Sequence, residues 1–203
     1  RRSLSERKAR TELPDLERDR LACLELQDAI DVMELAEQAA EAKAIVRGEL
    51  FYDAEKLEWA LKTFRDVMQF ISAAYFPASL VFYPMESNLG YRSGVSTEVL
   101  ACLDDDVVNV YRDVCRQLVL PAIQKEQPEV IGVSVGTQMQ LLAGMTFCKM
   151  IKEEFPDIHV TVGGNVITRL KDDLPKRKQF FTQVFDSAIL YEGEHALVWL
   201  LEA

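Results

Sequence analysis

Apolar residues recur along this chain in two rhythms, and the change of rhythm falls near residue 78. Before it the spacing is helical. Pro14 and Asp15 stand where a helix first turn tolerates a missing N–H and favours an anion. Leu21, Leu24, Ile30, Met33 and Ala36–Ala40 follow at helical intervals, and the run ends near Gly48. Asp53 is the expected N-cap of a second helix, in which Leu57, Leu61, Phe64, Met68 and Ile71 recur at three- and four-residue steps until Pro77 stops it. Such stripes are wide enough to cover a core face, so this region reads as a packing layer.

Beyond Ala78 the apolar runs shorten and become β-branched. Ser79–Tyr83 reads either as a short strand or, given Pro84 and the polar Glu86–Asn88, as a loop. Asp104–Gln124 is expected to be a helix, with Val107, Val108, Tyr111, Val114, Cys115, Leu118 and Ile123 on its apolar side. Then strands and helices alternate: strand Val130–Val135, helix Met139–Phe155, strand Ile158–Val162, a short helix Val166–Leu174, a further strand Phe180–Val184, a last apolar run Ser187–Tyr191 and a last helix Glu194–Leu201. Continuous apolar strands separated by helices indicate a parallel sheet covered on both faces. The expected fold class is α/β, a doubly wound, mostly parallel sheet of the Rossmann-like or flavodoxin-like kind. It would occupy residues 77–203, after a helical region at 1–76 that is either a separate unit or an insertion.

Composition narrows the function classes. The 203 residues are 49% apolar and carry 33 acidic against 23 basic side chains, a formal net charge of −10. That balance repels phosphate backbones and anionic lipid heads, and only Lys171–Lys178 offers a basic stretch, so neither nucleic acid nor a membrane is an expected partner. No apolar run approaches the roughly 20 residues that cross a bilayer, and the Arg-rich start lacks a signal-peptide core. A cytoplasmic protein is expected. Cys23, Cys102, Cys115 and Cys148 form no C-x-x-C pair and read as reduced, mostly buried thiols; their spacing excludes a zinc knuckle or a three-cysteine iron–sulfur loop within the chain. The chain opens on Arg1, and Ala196–Ala203 reads as an unfinished helix, so a piece of a longer polypeptide is expected.

In doubly wound sheets ligands bind outside the carboxyl ends of the strands. Three loops stand there: Ser134-Val135-Gly136-Thr137-Gln138, Gly163-Gly164-Asn165 and Tyr191-Glu192-Gly193-Glu194-His195. Paired glycines at a strand end mean either a positive φ or a close approach of backbone to something flat or bulky; a simple tight turn explains any one of them alone.

Taken together they resemble the cobalamin-binding Rossmann-like domain family. That family carries D-x-H-x-x-G, an S-x-L about 41 residues later, and a G-G about 26 to 28 residues after that. Here 26 positions, 137 to 162, separate Gly136 from Gly163. Ser134-Val135-Gly136 takes the S-x-L place, with Gly136 departing from Leu, and Gly163-Gly164 is the diglycine. The resemblance implies that the serine and the diglycine line a slot for the nucleotide tail of the corrinoid. Counting back from Ser134, Ser87-Asn88-Leu89-Gly90-Tyr91-Arg92 occupies the D-x-H-x-x-G place, and Leu89 stands where the cobalt-ligating His would. The implied cobalamin is therefore base-off and without a His ligand. Asp157-Ile158-His159 begins like the motif, but Gly163 comes one residue too late, and His159 opens a predicted strand instead of following one.

The missing histidine is similar to one branch, the cobalamin-dependent radical S-adenosylmethionine enzymes, with their D-x-V-G-I-S, V-x-x-G-G and G-E-G-E phrases. This chain offers Glu129-Val130-Ile131-Gly132-Val133-Ser134, Val160-Thr161-Val162-Gly163-Gly164 and Tyr191-Glu192-Gly193-Glu194, with Tyr191 in place of the family's Gly. The match covers about residues 128–203. It implies cobalamin contacts at Ser134, Gly136, Thr137, Gln138, Gly163, Gly164, Asn165, Tyr191, Glu192 and Gly193. It also implies a parent enzyme, methyltransferase-like, with a 4Fe-4S cluster and S-adenosylmethionine in a barrel that follows this module. The module holds no catalytic constellation of its own. Two other functions stay open, a non-enzymatic cobalamin-binding sensor or regulator and a nucleotide- or flavin-binding α/β domain. Glu192 and Glu194 read as helix-capping acids more readily than as an acid–base pair, Asp104-Asp105-Asp106 as a helix N-terminus more readily than as a metal site, and Asp172-Asp173 with Lys176-Arg177-Lys178 as a solvated loop.

Overall fold

The structure, a computed structural model, describes residues 15–25, 27, 31–82 and 86–202. Expectations resting on Pro14, Ile30 and residues 83–85 lie outside them. The chain divides into two compact units, Arg1–Gly90 and Tyr91–Ala203, each described by itself.

The first unit is built on α1 (Asp15–Glu25), α2 (Val32–Arg47) and α3 (Ala54–Ala74). Asp31 caps α2 by accepting from the Met33 amide at 2.9 Å, and Asp53 caps α3 by accepting from Glu55 and Lys56 at 3.0 and 3.1 Å. Between α2 and α3 the small Ala42 and Ala60 pack with Ile45, and Val46, Trp59 and Phe64 close around them. Small side chains at a helix crossing bring the two axes close. Beyond α3 lies β1 (Ser79–Val81), anchored where the Leu80 amide donates to Ser72 Oγ at 2.8 Å. It pairs antiparallel with β2 (Glu86–Asn88). The Ser79 run is thus a strand, in a two-stranded hairpin distinct from the parallel sheet, and the polar 86–88 segment is its partner.

The second unit holds α4 (Ser96–Leu103), α5 (Val110–Val114), α6 (Leu120–Glu126), β3 (Val130–Ser134), α7 (Leu141–Glu154), β4 (His159–Gly163), α8 (Asn165–Arg169), α9 (Lys178–Gln183), β5 (Ser187–Ala188) and α10 (Glu194–Glu202). The sheet is parallel with order β3-β4-β5, Val130 opposite His159 and Thr161 opposite Ser187. The unit is therefore α/β, as the alternating pattern predicts.

Several elements differ from the sequence expectation. The first helical run is two helices, α1 and α2, the second capped by Asp31, and the short helix expected over Val166–Leu174 ends at Arg169. The helix expected from Asp104 starts at Val110, because the Asp105 carboxylate takes the Val107 and Val108 amides at 2.7 and 3.2 Å and holds a turn there. It continues through a π turn, Cys115–Val119, into α6. The expected strand at Phe180–Val184 is helical: α9 buries Phe180, and Val184 and Phe185 just beyond it are also buried, so the short apolar run follows the helical period. The sheet is also less buried than a fully covered one. Val160, Thr161 and Val162 of β4 are buried, whereas β3, paired among the described residues with β4 alone, is half-buried to exposed along its length.

The main packing element is α7, with nine of its 14 residues buried. Gly144 lets it approach β3; a Cβ there would sit 3.1 Å from Val135 Cγ2. Asn109, 1% exposed, ties three segments together, its Nδ2 donating to the Cys102 carbonyl at 2.8 Å and to Thr146 Oγ1 at 2.9 Å. Cys102, Cys115 and Cys148 are buried free thiols, and burial pushes them up to about 12, 11 and 12 respectively, so they stay protonated at neutral pH.

Candidate functional site at the carboxyl edge of the sheet

The three loops singled out from the sequence leave the same edge of three adjacent parallel strands. Ser134 faces Gly163 across the β3–β4 ladder, and past it the Val135 amide donates to the Gly163 carbonyl at 2.8 Å. The second loop returns the bond, Val166 N–H to the Val135 carbonyl at 3.1 Å. The third is tied in where the Tyr191 amide donates to Thr168 Oγ1 at 2.9 Å. Ser134, Gly136, Thr137, Gln138, Asn165, Tyr191 and Glu192 are exposed; Gly163, Gly164 and Gly193 are half-buried.

The glycines of this edge do different things. Gly164 has φ +97°, and a Cβ there would lie 2.7 to 2.9 Å from the Val135 backbone. Its close approach is to the chain itself, so the fold alone requires a glycine. Gly163 and Gly136 are unconstrained by comparison. A Cβ would meet the Ile189 carbonyl at 3.4 Å in the first and Gln140 Oε1 at 3.5 Å in the second. The first loop is closed by a capping box. Gln140 Oε1 accepts from the Gly136 amide at 2.9 Å and the Thr137 amide at 3.1 Å, while Thr137 caps the turn at Gln138–Gln140. The sequence carried that signal as Thr137-x-x-Gln140.

Tyr191 takes φ +60°, the left-handed region a glycine enters freely. Lys171 Nζ donates to its hydroxyl at 2.6 Å and stands 5.2 Å from its ring centroid. That hydroxyl holds the Lys171 ammonium above the usual lysine range. A left-handed backbone turn is thus held by a residue with a large, exposed side chain.

The other candidates lie elsewhere. His159 opens β4, its Nε2 2.9 Å from Ser187 Oγ, and four strand rises of about 3.3 Å put it about 13 Å from the carboxyl edge. Leu89, in the first unit, is 1% exposed. The acidic triplet is consumed internally: Asp104 meets Lys149 at 2.7 Å, Asp105 accepts from Tyr91 OH at 2.7 Å, and Asp106 meets Arg112 and Arg116, whose guanidinium groups hold it below the usual carboxylate range. Among the described residues no cluster of His, Cys, Asp and Glu could hold a metal ion. No described helix is long and apolar enough to cross a membrane.

One feature escaped sequence reasoning. A cavity of about 280 Å³ opens near Gln138, between α4, α7, α8 and α9. Its lining residues, among them Met145, Phe180 and Phe185, carry no motif and read along the chain as ordinary core. The chain matches no protein-family model, no curated protein and no solved structure.

Proposed function

We propose that the second unit is a cobalamin-binding module of a cobalamin-dependent radical S-adenosylmethionine enzyme, and that β3-β4-β5 belongs to a doubly wound, Rossmann-like sheet. The observation that carries this reading is convergence: three phrases stand at one carboxyl edge of adjacent parallel strands, the first two hydrogen-bonded to each other and the third bonded to Thr168 of α8. Tyr191, at φ +60°, takes a backbone conformation that glycine enters freely, where the resemblance has glycine.

The exposed Ser134, Gly136, Thr137 and Gln138 offer an edge that fits the flat face of a corrin, whereas Gly163 is half-buried and turned toward Ile189. A tail slot between Gly164 and the end of β3 does not fit, since the Val135 backbone fills that space. When bound, the corrinoid would supply a cobalt that relays a methyl group, and the resemblance implies that it is held base-off and without a His ligand. Ser134, Gly136, Thr137, Gln138 and Asn165 would carry the first two sides of the edge, with Tyr191, Glu192 and Gly193 the third. The 4Fe-4S cluster and S-adenosylmethionine belong to the barrel partner of this reading, and a cytoplasmic setting goes with it. The nucleotide or flavin alternative is less favoured at this edge, because the Gly136 and Thr137 amides that would cradle a phosphate are already taken by Gln140.

The test is to mix the protein with hydroxocobalamin, remove free ligand by gel filtration and record the visible spectrum of the protein peak. Co-eluting corrin of base-off shape is expected. A base-on spectrum, or a colourless peak both here and with the full-length gene product, would overturn the reading. Gly136→Trp is the informative variant, since its side chain would cover the edge without meeting backbone; it should abolish retention, whereas His159→Ala should not.

A further inference from the structure

The cavity beside α7 shares only Gln138 with the carboxyl-edge loops. Its walls are mainly apolar: Met145, Ile167 and Phe185, each 1% exposed, lie at its floor, and Leu141, Leu170 and Leu174 stand around it. A pocket lined mainly by apolar side chains favours an apolar occupant. Its mouth is polar. Gln138 Nε2 donates to Ser93 Oγ at 3.0 Å across one side, and Asp173 and Arg177 stand on the other. Asp173 is bound to Lys176 at 3.0 Å. The Arg177 guanidinium stands near enough to the Asp173 carboxylate to help Lys176 hold it below the usual carboxylate range, but its donors form no hydrogen bond or close ion pair with a described residue. A planar fork of donors whose hydrogen bonds are not taken up, at the rim of a mainly apolar pocket, matches a carboxylate that carries an apolar body.

We propose that this cavity binds a small amphipathic carboxylate, its aromatic or branched aliphatic body among Met145, Ile167 and Phe185 and its carboxylate on Arg177. A volume of about 280 Å³ suits a ring with a short chain. The site is independent of the cobalamin reading, since it needs neither the diglycine nor the third loop.

The test is calorimetric titration of the protein with 4-phenylbutyrate and, as the uncharged equivalent, 4-phenylbutyramide. The carboxylate should bind at least about tenfold more tightly, the ratio expected from one charge-assisted pair. Arg177→Gln, an exposed substitution that leaves the fold intact, should bring the carboxylate down to the affinity of the amide and leave the amide unchanged. Methyl resonances of Met145 and Ile167 should shift on addition of either compound. Absence of binding by both compounds, equal affinities unaffected by Arg177→Gln, or shifts confined to methyl groups away from the cavity would each overturn the proposal.

Discussion

Gly164 carries the most exacting single constraint of the second unit. A methyl group there must displace the backbone of Val135, and the residue's φ adds strain for any L side chain. Gly164→Ala should therefore destabilise the protein by about 3 kcal/mol or more, seen as a lowered midpoint in chemical denaturation, whereas Gly163→Ala next to it should cost under about 1 kcal/mol. A loss of ligand binding in a Gly164 variant would report the fold and not the ligand. Tyr91 offers a different readout. Its hydrogen bond to Asp105 pushes its hydroxyl from 10.0 up to about 12. Below pH 10 the tyrosine is protonated in both folded and unfolded chains, and the contact contributes in full. Between about 10 and 12 the unfolded chain loses that proton while Tyr91 keeps it, so stability falls as pH rises through this window. Tyr91→Phe should remove that part of the alkaline decline, measured as the difference between the two denaturation profiles.

Between elements, a few buried polar contacts help to fix the arrangement. Asn109 is the junction of α4, α5 and α7, and it is satisfied on both its oxygen and its nitrogen, with the Tyr111 amide at 3.2 Å on the former. Asn109→Ala leaves the Cys102 carbonyl and the Tyr111 amide without that partner in a buried site, at a cost of about 2 to 3 kcal/mol in equilibrium unfolding. Asp53, in contrast, caps an exposed helix start, and Asp53→Ala should cost about 1 kcal/mol and act on the first unit only. Lys149 on α7, though nearly buried, keeps its ammonium on Asp104 and Glu153, which joins the end of α4 to the flank of α7.

For the whole molecule, the division after Gly90 makes a direct prediction: a fragment covering Tyr91–Ala203 should unfold in one cooperative transition, and a broad, non-cooperative melt by circular dichroism would contradict it. Much of this architecture was legible along the chain. Helical periodicity with Asp53 as a cap, two β-branched runs at Val130–Val135 and Ile158–Val162, and the helix between them are local properties, set by side-chain spacing and by capping chemistry within a few residues. Pairing was not legible, because a strand does not carry the name of its neighbour. Only the tertiary structure put Ser79–Val81 in a hairpin, left β3 at an edge and turned Phe180–Val184 helical. The same holds at the candidate site. Sequence named the loops, since glycine and serine at strand ends are local signals. Only the fold decided that Gly164 serves the chain's own backbone, that Gln140 occupies the amides of the first loop, and that four distant segments leave a chamber with Arg177 at its mouth, because each of these depends on which residues meet across long stretches of chain.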